Sequence, residues 1–254
     1  MFDPIWARPE PSGRRAPQSR AAIADAAIAV ADAEGIDAVS MRRVARELGL
    51  GTMSLYHYVR NKDELLDLMS DAILGLQIVD DAELKKGWRA GLRAIALATR
   101  ANFERHPWII GAMSPRPGAI PGPNSLRHFD QSIAAVAAAG VDVKTQMEIV
   151  ALVDDYVFGF ALRASIGGFE EREEEVDPGW TRAVFDYMWS ELETGAYPNV
   201  RRLVDVNRDA GGRDEDLGAM AVDDGRFERG LERLLDGIAV ELERKAPPTR
   251  RRGR

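Results

Sequence analysis

Apolar residues near the start of the chain recur at helical spacing. Ile23, Ala26, Ala27, Val30 and Ala31 fall on one stripe of a 3.6-residue period. Ser19 stands where an N-cap belongs, and Gly35 where a helix ends in a left-handed residue. A second stripe, Met41, Val44, Ala45 and Leu48, opens at Ser40 and stops at Gly49. Only Leu50 and Gly51 separate it from a third, short helix predicted from Thr52, with Leu55 and Val59 one turn apart on a single face. A fourth helix opens at Asn61 or Lys62 and carries Leu65, Leu66, Met69, Ile73 and Leu76.

Beyond residue 80 the pattern lengthens. One helix is predicted over 83–105, ended by His106-Pro107 because proline disfavours helix in the residue before it. Four prolines between Ser114 and Asn124 predict a loop. Further helices are expected over 125–139, 143–166, 180–194 and 226–244, with an acidic loop at 170–177 and a mobile Gly/Asp-rich stretch at 207–224. No alternating pattern competes with these. The expected fold is all-α. A three-helix head (residues 19–65) joins a larger helical bundle (66–245). A Pro/Arg-rich arm (1–18) precedes it, read as flexible or as reaching for phosphates, and a disordered basic tail (246–254) follows it.

Composition narrows the chemistry. There is no cysteine among the 254 residues, which excludes disulfides, thiolate catalysis and cysteine-bound metals. No apolar run reaches the roughly 20 residues of a membrane span, and no apolar stretch follows the first charges, so a cytoplasmic address is expected. The formal net charge of −7 argues against a uniformly basic surface, but the charge is unevenly spread. Residues 1–62 hold nine Lys/Arg against seven Asp/Glu, so the excess of acid lies entirely in the remainder. No glycine-rich phosphate loop, nucleophile elbow or paired-histidine metal motif is present, so neither enzyme activity, nor a cofactor, nor a metal is expected.

The stretch from Ser40 to Val59 carries the function. Two short helices meet at a glycine corner. Ala45 is small enough for them to cross closely, and Leu48, Leu50, Leu55 and Val59 lock the crossing. This is a helix-turn-helix, whose second helix lies in the DNA major groove. With Leu55 and Val59 inward, Thr52, Met53, Ser54, Tyr56 and His57 face outward, and Tyr58 sits at the flank. Hydroxyls and imidazole can hydrogen-bond bases or phosphates, while Met53 and the Tyr56 ring can contact a thymine methyl or a sugar. Arg42 and Lys62 add charge on either side, Lys62 at a helix start that favours phosphate. Tyr56 and Tyr58 taken alone could be packing residues; the glycine corner and flanking cations favour contact with DNA.

Ser40-Met41-Arg42-Arg43-Val44-Ala45, Gly49-Leu50-Gly51 and the run Leu55 to Leu66 resemble the DNA-binding domain of the tetracycline-repressor (TetR) family. His106-Pro107-Trp108, Tyr156 to Phe160 and Phe227 to Gly237 resemble the C-terminal domain of its tetracycline-binding branch. The resemblance implies an all-helical homodimer on a palindromic operator, released by a small ligand held in the C-terminal domain. It implies DNA contacts at Arg42, Thr52, Met53, Ser54, Tyr56, His57, Tyr58 and Lys62. It also implies dimerisation through the helices at 143–166 and 226–244.

The drug-binding member chelates magnesium–tetracycline with histidines and an acid. This chain has a histidine-free Pro/Gly loop at 114–124 and Arg163 near the acid's place, and His106 reads as structural. An apolar pocket is expected instead, with Phe103, Trp108, Met113, Phe129, Met147 and Phe160 as candidate contacts for a hydrophobic or aromatic effector. Asp154 and Asp155 interrupt an apolar helix and read as solvent-facing, pocket-lining or at the dimer seam. The expected function is a ligand-responsive repressor. An activator or a general DNA binder using the same head is the alternative, the latter disfavoured by the low basic charge. A helical enzyme is a more distant one.

Overall fold

The computed structural model describes residues 3–11, 18–112, 120–165, 178–209 and 225–245. Among them are twelve α-helices and no strand. The head holds α1 (Arg20–Glu34), α2 (Met41–Glu47), α3 (Thr52–Leu55) and α4 (Lys62–Gly75). Then come α5 (Asp81–Leu84), α6 (Trp88–Arg105), α7 (Trp108–Ala112), α8 (Pro123–Ala137), α9 (Val143–Ser165), α10 (Pro178–Glu193), α11 (Pro198–Asp209) and α12 (Arg226–Lys245).

The starts follow from the caps. Ser19 accepts from the Ala22 N–H at 3.1 Å, Ser40 from Arg43 at 3.2 Å and Asn61 from Glu64 at 2.8 Å, each satisfying a donor that helix geometry leaves unpaired. Gly49 turns the chain between α2 and α3 with φ of 66°, a conformation that costs a side-chain-bearing residue about 1–2 kcal/mol. Pro123 begins α8, where its missing N–H costs nothing.

Two compact units result. One comprises residues 1–161 with 234–254, the other 162–233. In the first, α1 packs on α4, α2 on α1 and α3, and α4 on α8, which in turn packs on α6. Its core includes Ile23, Val30, Val44, Leu55, Leu65, Met69, Leu92 and Ile109. The head therefore shares one packed unit with the first helices of the body, because α4 is buried against both. In the second unit α10 and α11 pack together, and the Arg201 and Arg208 guanidiniums lie 4.9 and 4.1 Å from the Trp189 ring.

Four local expectations change. The helix expected over 83–105 breaks at Gly87, whose φ of 107° no helix accommodates, giving α5 and α6. The third helix is a single turn, continued through residues 56–58 by turn hydrogen bonds. Residues 198–209, where no helix was expected before 207 and a mobile stretch from there, form α11. Residues 3–11, expected within a flexible arm, fold against the head, with Ile5 buried. The basic tail, most of the Gly/Asp-rich stretch, most of the proline loop and residues 12–17 lie outside the described residues.

A Cβ at Gly49 meets nothing within 4 Å, so the cost of replacing it is conformational. Gly49→Ala should lower unfolding free energy by about 1–2 kcal/mol, and Gly49→Asn by less because asparagine tolerates the left-handed region. Urea titration of the two variants checks the order.

Candidate nucleic-acid interface

The α2–α3 corner rests on a dry base. Val39, Val44, Leu55 and Val59 are fully buried, with Ala45 nearly so. Leu55 and Val59 are four apart, and the Val59 N–H donates to the Leu55 carbonyl at 3.1 Å, so both point inward from the same turn. What remains of α3 must face out. Met53 is 75% exposed, Tyr56 and His57 are exposed, and Thr52 and Ser54 are half-buried. Arg42 and Lys62 are exposed beside them.

Tyr58 departs from expectation. It is 2% exposed, and its hydroxyl accepts a hydrogen bond from the Gln18 N–H at 3.2 Å. Its ring belongs to the head's core and presents no edge to DNA. The spacing held the signal: 55, 58 and 59 are an i, i+3, i+4 set, the inward set of a helical turn. The outward edge is therefore Met53, Tyr56 and His57, supported by Thr52 and Ser54.

The charges around this edge are sorted by pairing. Arg43 donates to Glu34 and Glu47, both at 2.6 Å, and these bonds raise its affinity for the proton further while holding the Glu34 carboxyl below its usual range. Glu64 is held by Arg8 at 2.5 Å and by the Arg60 N–H at 2.7 Å. Three acids of the head are thus neutralised locally. At the start of α4, the Glu64 N–H is already taken by Asn61, so an approaching phosphate meets the Lys62 ammonium rather than that amide.

The expected pocket residues differ in burial. Phe103 is buried and meets Phe158 edge-on at 6.1 Å. Phe160 is half-buried beneath the Arg100 guanidinium at 5.7 Å. Trp108 is buried, and its indole N–H donates to Asp32 Oδ1 at 2.6 Å, which ties α7 to α1 of the head. Phe129 and Met147 are 46% and 44% exposed. Met113 lies outside the described residues. A cleft of about 300 Å³ opens elsewhere, between α1, α4 and the end of α6, lined by Asp25, Ile28, Asp32, Ile73, Leu76 and His106.

Sequence reading missed Asp32 as the hub of this joint. The same oxygen that takes the Trp108 indole lies 2.7 Å from His106 Nδ1. Nothing in the pattern of α1 marked it, because an acid on a helix face reads as solvated until its partners are placed. His106 is buried in this structural role. Among the described residues no group of three or more acids or histidines is placed to hold a metal ion, and no helix is long and apolar enough to cross a membrane. On α9, solvent still reaches Asp154. Crowding by neighbouring atoms, then the charge of Asp155, nevertheless push its carboxyl up to about 6.

Comparison with known proteins agrees with this geometry. Residues 23–69 match the family described as bacterial regulatory proteins, tetR family, and residues 82–242 match the tetracyclin repressor-like C-terminal domain. The chain belongs to the TetR family. It is 37% identical over 221 residues to the HTH-type transcriptional repressor DrrR1 of Streptomyces coeruleorubidus, covering 86% of this chain and 76% of that one. Among solved TetR-family structures, apo ActR of Streptomyces coelicolor superposes with a TM-score of 0.66 at 28% identity, covering 91% of this chain and 99% of that one. ActR in complex with actinorhodin gives 0.64 at 27%, covering 89% and 97%. As a TetR-family member the chain is a DNA-binding transcriptional regulator with an N-terminal helix-turn-helix.

Two outcomes follow. Tyr58→Phe should retain DNA binding, whereas Tyr58→Ala should lose about 3–5 kcal/mol of stability, as buried aromatics do; gel shift and chemical denaturation separate these effects. The raised Asp154 carboxyl means that the fold holds this proton more tightly than the unfolded chain does. Its stabilising effect is therefore present at low pH and lost as pH rises through about 6. Asp154→Asn should raise the melting temperature at pH 8 and change it little near pH 4, as read by thermal unfolding.

Proposed function

We propose that the protein is a transcriptional repressor that binds a palindromic operator as a homodimer and leaves it when a small hydrophobic or aromatic effector binds the body. One observation carries the reading. A single-turn helix is anchored by buried Leu55 and Val59 and turns Met53, Tyr56 and His57 outward between exposed Arg42 and Lys62. Exposed large apolar groups cost solubility unless a surface covers them, and this edge is shaped for a groove. Thr52, Ser54, Tyr56 and His57 supply donors and acceptors for bases and phosphates, and Met53 supplies apolar contact.

Dimerisation is favoured by the apolar groups left outside. On α9 these are Val143, Met147 and Leu152, and on α10 and α11 they include Trp180, Tyr187, Leu203 and Val206. A lone chain rarely leaves so many exposed. The helices assigned to the pairing surface are α9 and α12. Two-fold symmetry would set the recognition helices about 34–36 Å apart, one turn of DNA. In this reading residues 19–65 are the head and 66–245 the ligand-binding and pairing body. DrrR1, which bears the name of repressor, and ActR, solved with actinorhodin, support repression and an organic effector. Phe103, Trp108, Met113, Phe129, Met147 and Phe160 stay the candidate contacts. The proportion buried suits Phe103 and Phe160 best, and Trp108 would act at the joint. Release requires an effector that binds the DNA-incompetent arrangement more tightly than the competent one.

The test is a gel shift with the DNA flanking the protein's own gene, across a salt series. The wild type should select one inverted repeat as a dimer. Tyr56→Ala should weaken that complex at least about tenfold per protomer, the loss of one good base or phosphate contact, with melting temperature and dimer mass unchanged. Normal operator binding by this variant would remove α3 from the interface, and binding indifferent to sequence would remove the operator.

A further inference from the structure

Residues 3–11 are anchored at both ends of the head–body joint. On the head side, Ile5 is 1% exposed. Arg20 of α1 donates from Nη1 to the carbonyls of Ile5 and Arg8, both at 2.9 Å, and its backbone N–H is taken by Glu10. Arg8 pairs with Glu64 of α4 at 2.5 Å, both side chains mostly shielded. On the body side, the Trp6 indole N–H donates to the Ile120 carbonyl at 3.2 Å. Its ring lies so close over Gly122 that a Cβ there would stand 2.6 Å from it.

The same corner is gripped a second time. Asp71 of α4 is buried and accepts from the Ser125 N–H at 2.8 Å, the Ser125 hydroxyl at 3.1 Å and the Asn124 N–H at 3.3 Å, so it caps the first turn of α8. Trp6 packs against that cap, since the Cβ that Gly122 lacks would strike both the Asp71 carboxyl and the Trp6 ring.

We propose that residues 3–11 are a strap that couples the DNA-reading head to the first turn of α8, a second mechanical link running beside α4. A head turning about the end of α4 must either drag residues 120–125 with the strap or pull Trp6 from its seat. The strap is built to let go. Arg8 and Arg20 crowd one another, and each buries an Nε with no partner. Burial, then the Arg8 charge, hold Arg20 below its ordinary range. One shielded ion pair, the bonds from Arg20, one indole bond and one buried isoleucine make a latch of a few interactions, not a core. Its regulatory consequence, that events in the body reach the head by this path, rests on the repressor reading; the strap itself does not.

The absence of cysteine makes the test direct. Asp37→Cys in the head and Ala137→Cys on α8 can carry a donor–acceptor dye pair, with the labelled full-length chain diluted into excess unlabelled chain. Single-molecule transfer then reports the head–body distance within one protomer, and hydrogen exchange reports the Asn124 and Ser125 amides. Trp6→Ala should broaden or split the distance distribution and speed exchange at those two amides roughly tenfold, while core amides of α1 and α4 exchange as before. Arg8→Ala, which opens the head end and leaves the corner untouched, should reproduce the pattern, and Trp6→Phe should fall between. Unchanged distance and exchange in both Trp6→Ala and Arg8→Ala would overturn the strap. So would equal acceleration at every core amide, since the segment would then be only a stabiliser. Neither readout involves DNA, so a failure of operator binding would end the repressor reading and leave this result standing.

Discussion

Everything in the first unit depends on α4 being buried at both ends. Its early residues Leu65 and Met69 close the core of the head, and its late residue Ile73 lies in the body's core. One helix of fourteen residues cannot satisfy two cores independently, so its position fixes each with respect to the other. Polar bonds make that position discrete. Asn102 of α6 donates to the Ile73 carbonyl at 2.9 Å, adding a bond from the body to an oxygen that also accepts the Leu76 N–H at the end of α4. Gln131 of α8 donates to the Gln77 carbonyl and accepts from the Val79 N–H, both at 3.0 Å, which holds the chain just beyond α4. A buried amide that pairs in two directions tolerates few alternatives, because misplacing it by an ångström leaves both partners unsatisfied.

The same economy governs charge. An acidic chain can offer DNA a neutral-to-positive face only if the acids near that face are spoken for. Arg43 holds two of them and Arg8 a third, leaving Arg42 and Lys62 to dominate the edge beside α3. These pairs are largely solvent-exposed around Arg43 and contribute little to stability. Their value is to shape the local field, which decides whether a polyanion approaches at all.

How far the sequence could be read tracks how local each determinant is. Caps, glycine corners and helical stripes are local, and α1, α2, α4 and the start of α3 were legible almost to the residue, as were α8, α9 and α12. Gly87 fell inside the helix predicted over 83–105, since only the fold reveals a positive φ there. Residues 198–206 were assigned no element, their scattered apolar positions gaining meaning only once Val204 is buried. Tyr58 was misplaced because exposure was inferred for a run of polar-tipped aromatics. A tyrosine can bury its ring and still satisfy its hydroxyl with a backbone N–H, as here with Gln18. Asp32, Asp71 and Trp6 were illegible for a different reason. Their partners lie 50 to 115 positions away along the chain, and no local pattern encodes such a meeting.

Those distant polar contacts also bear on how a regulator of this kind can switch at all. Driving a two-state protein from one arrangement to the other takes about 5.5 kcal/mol of differential affinity for a near-complete change. A joint sealed only by a large apolar core would exceed what a small ligand supplies. Hydrogen bonds to a carboxylate contribute about 1.5–3 kcal/mol each, and neutral ones nearer 1. The joint here uses a handful of them: two donors on one Asp32 oxygen, the Asp71 cap, the Asn102 and Gln131 amides. Such bonds are made or broken within an ångström, so each arrangement is sharply defined, and a rearranged joint can satisfy most of them again with new partners or water. The difference between arrangements is then a few kcal/mol, within a ligand's reach. A joint built from two carboxylates, one of them buried, and from buried amides, set beneath a head whose own core is dry, keeps α3 rigid while leaving its placement adjustable.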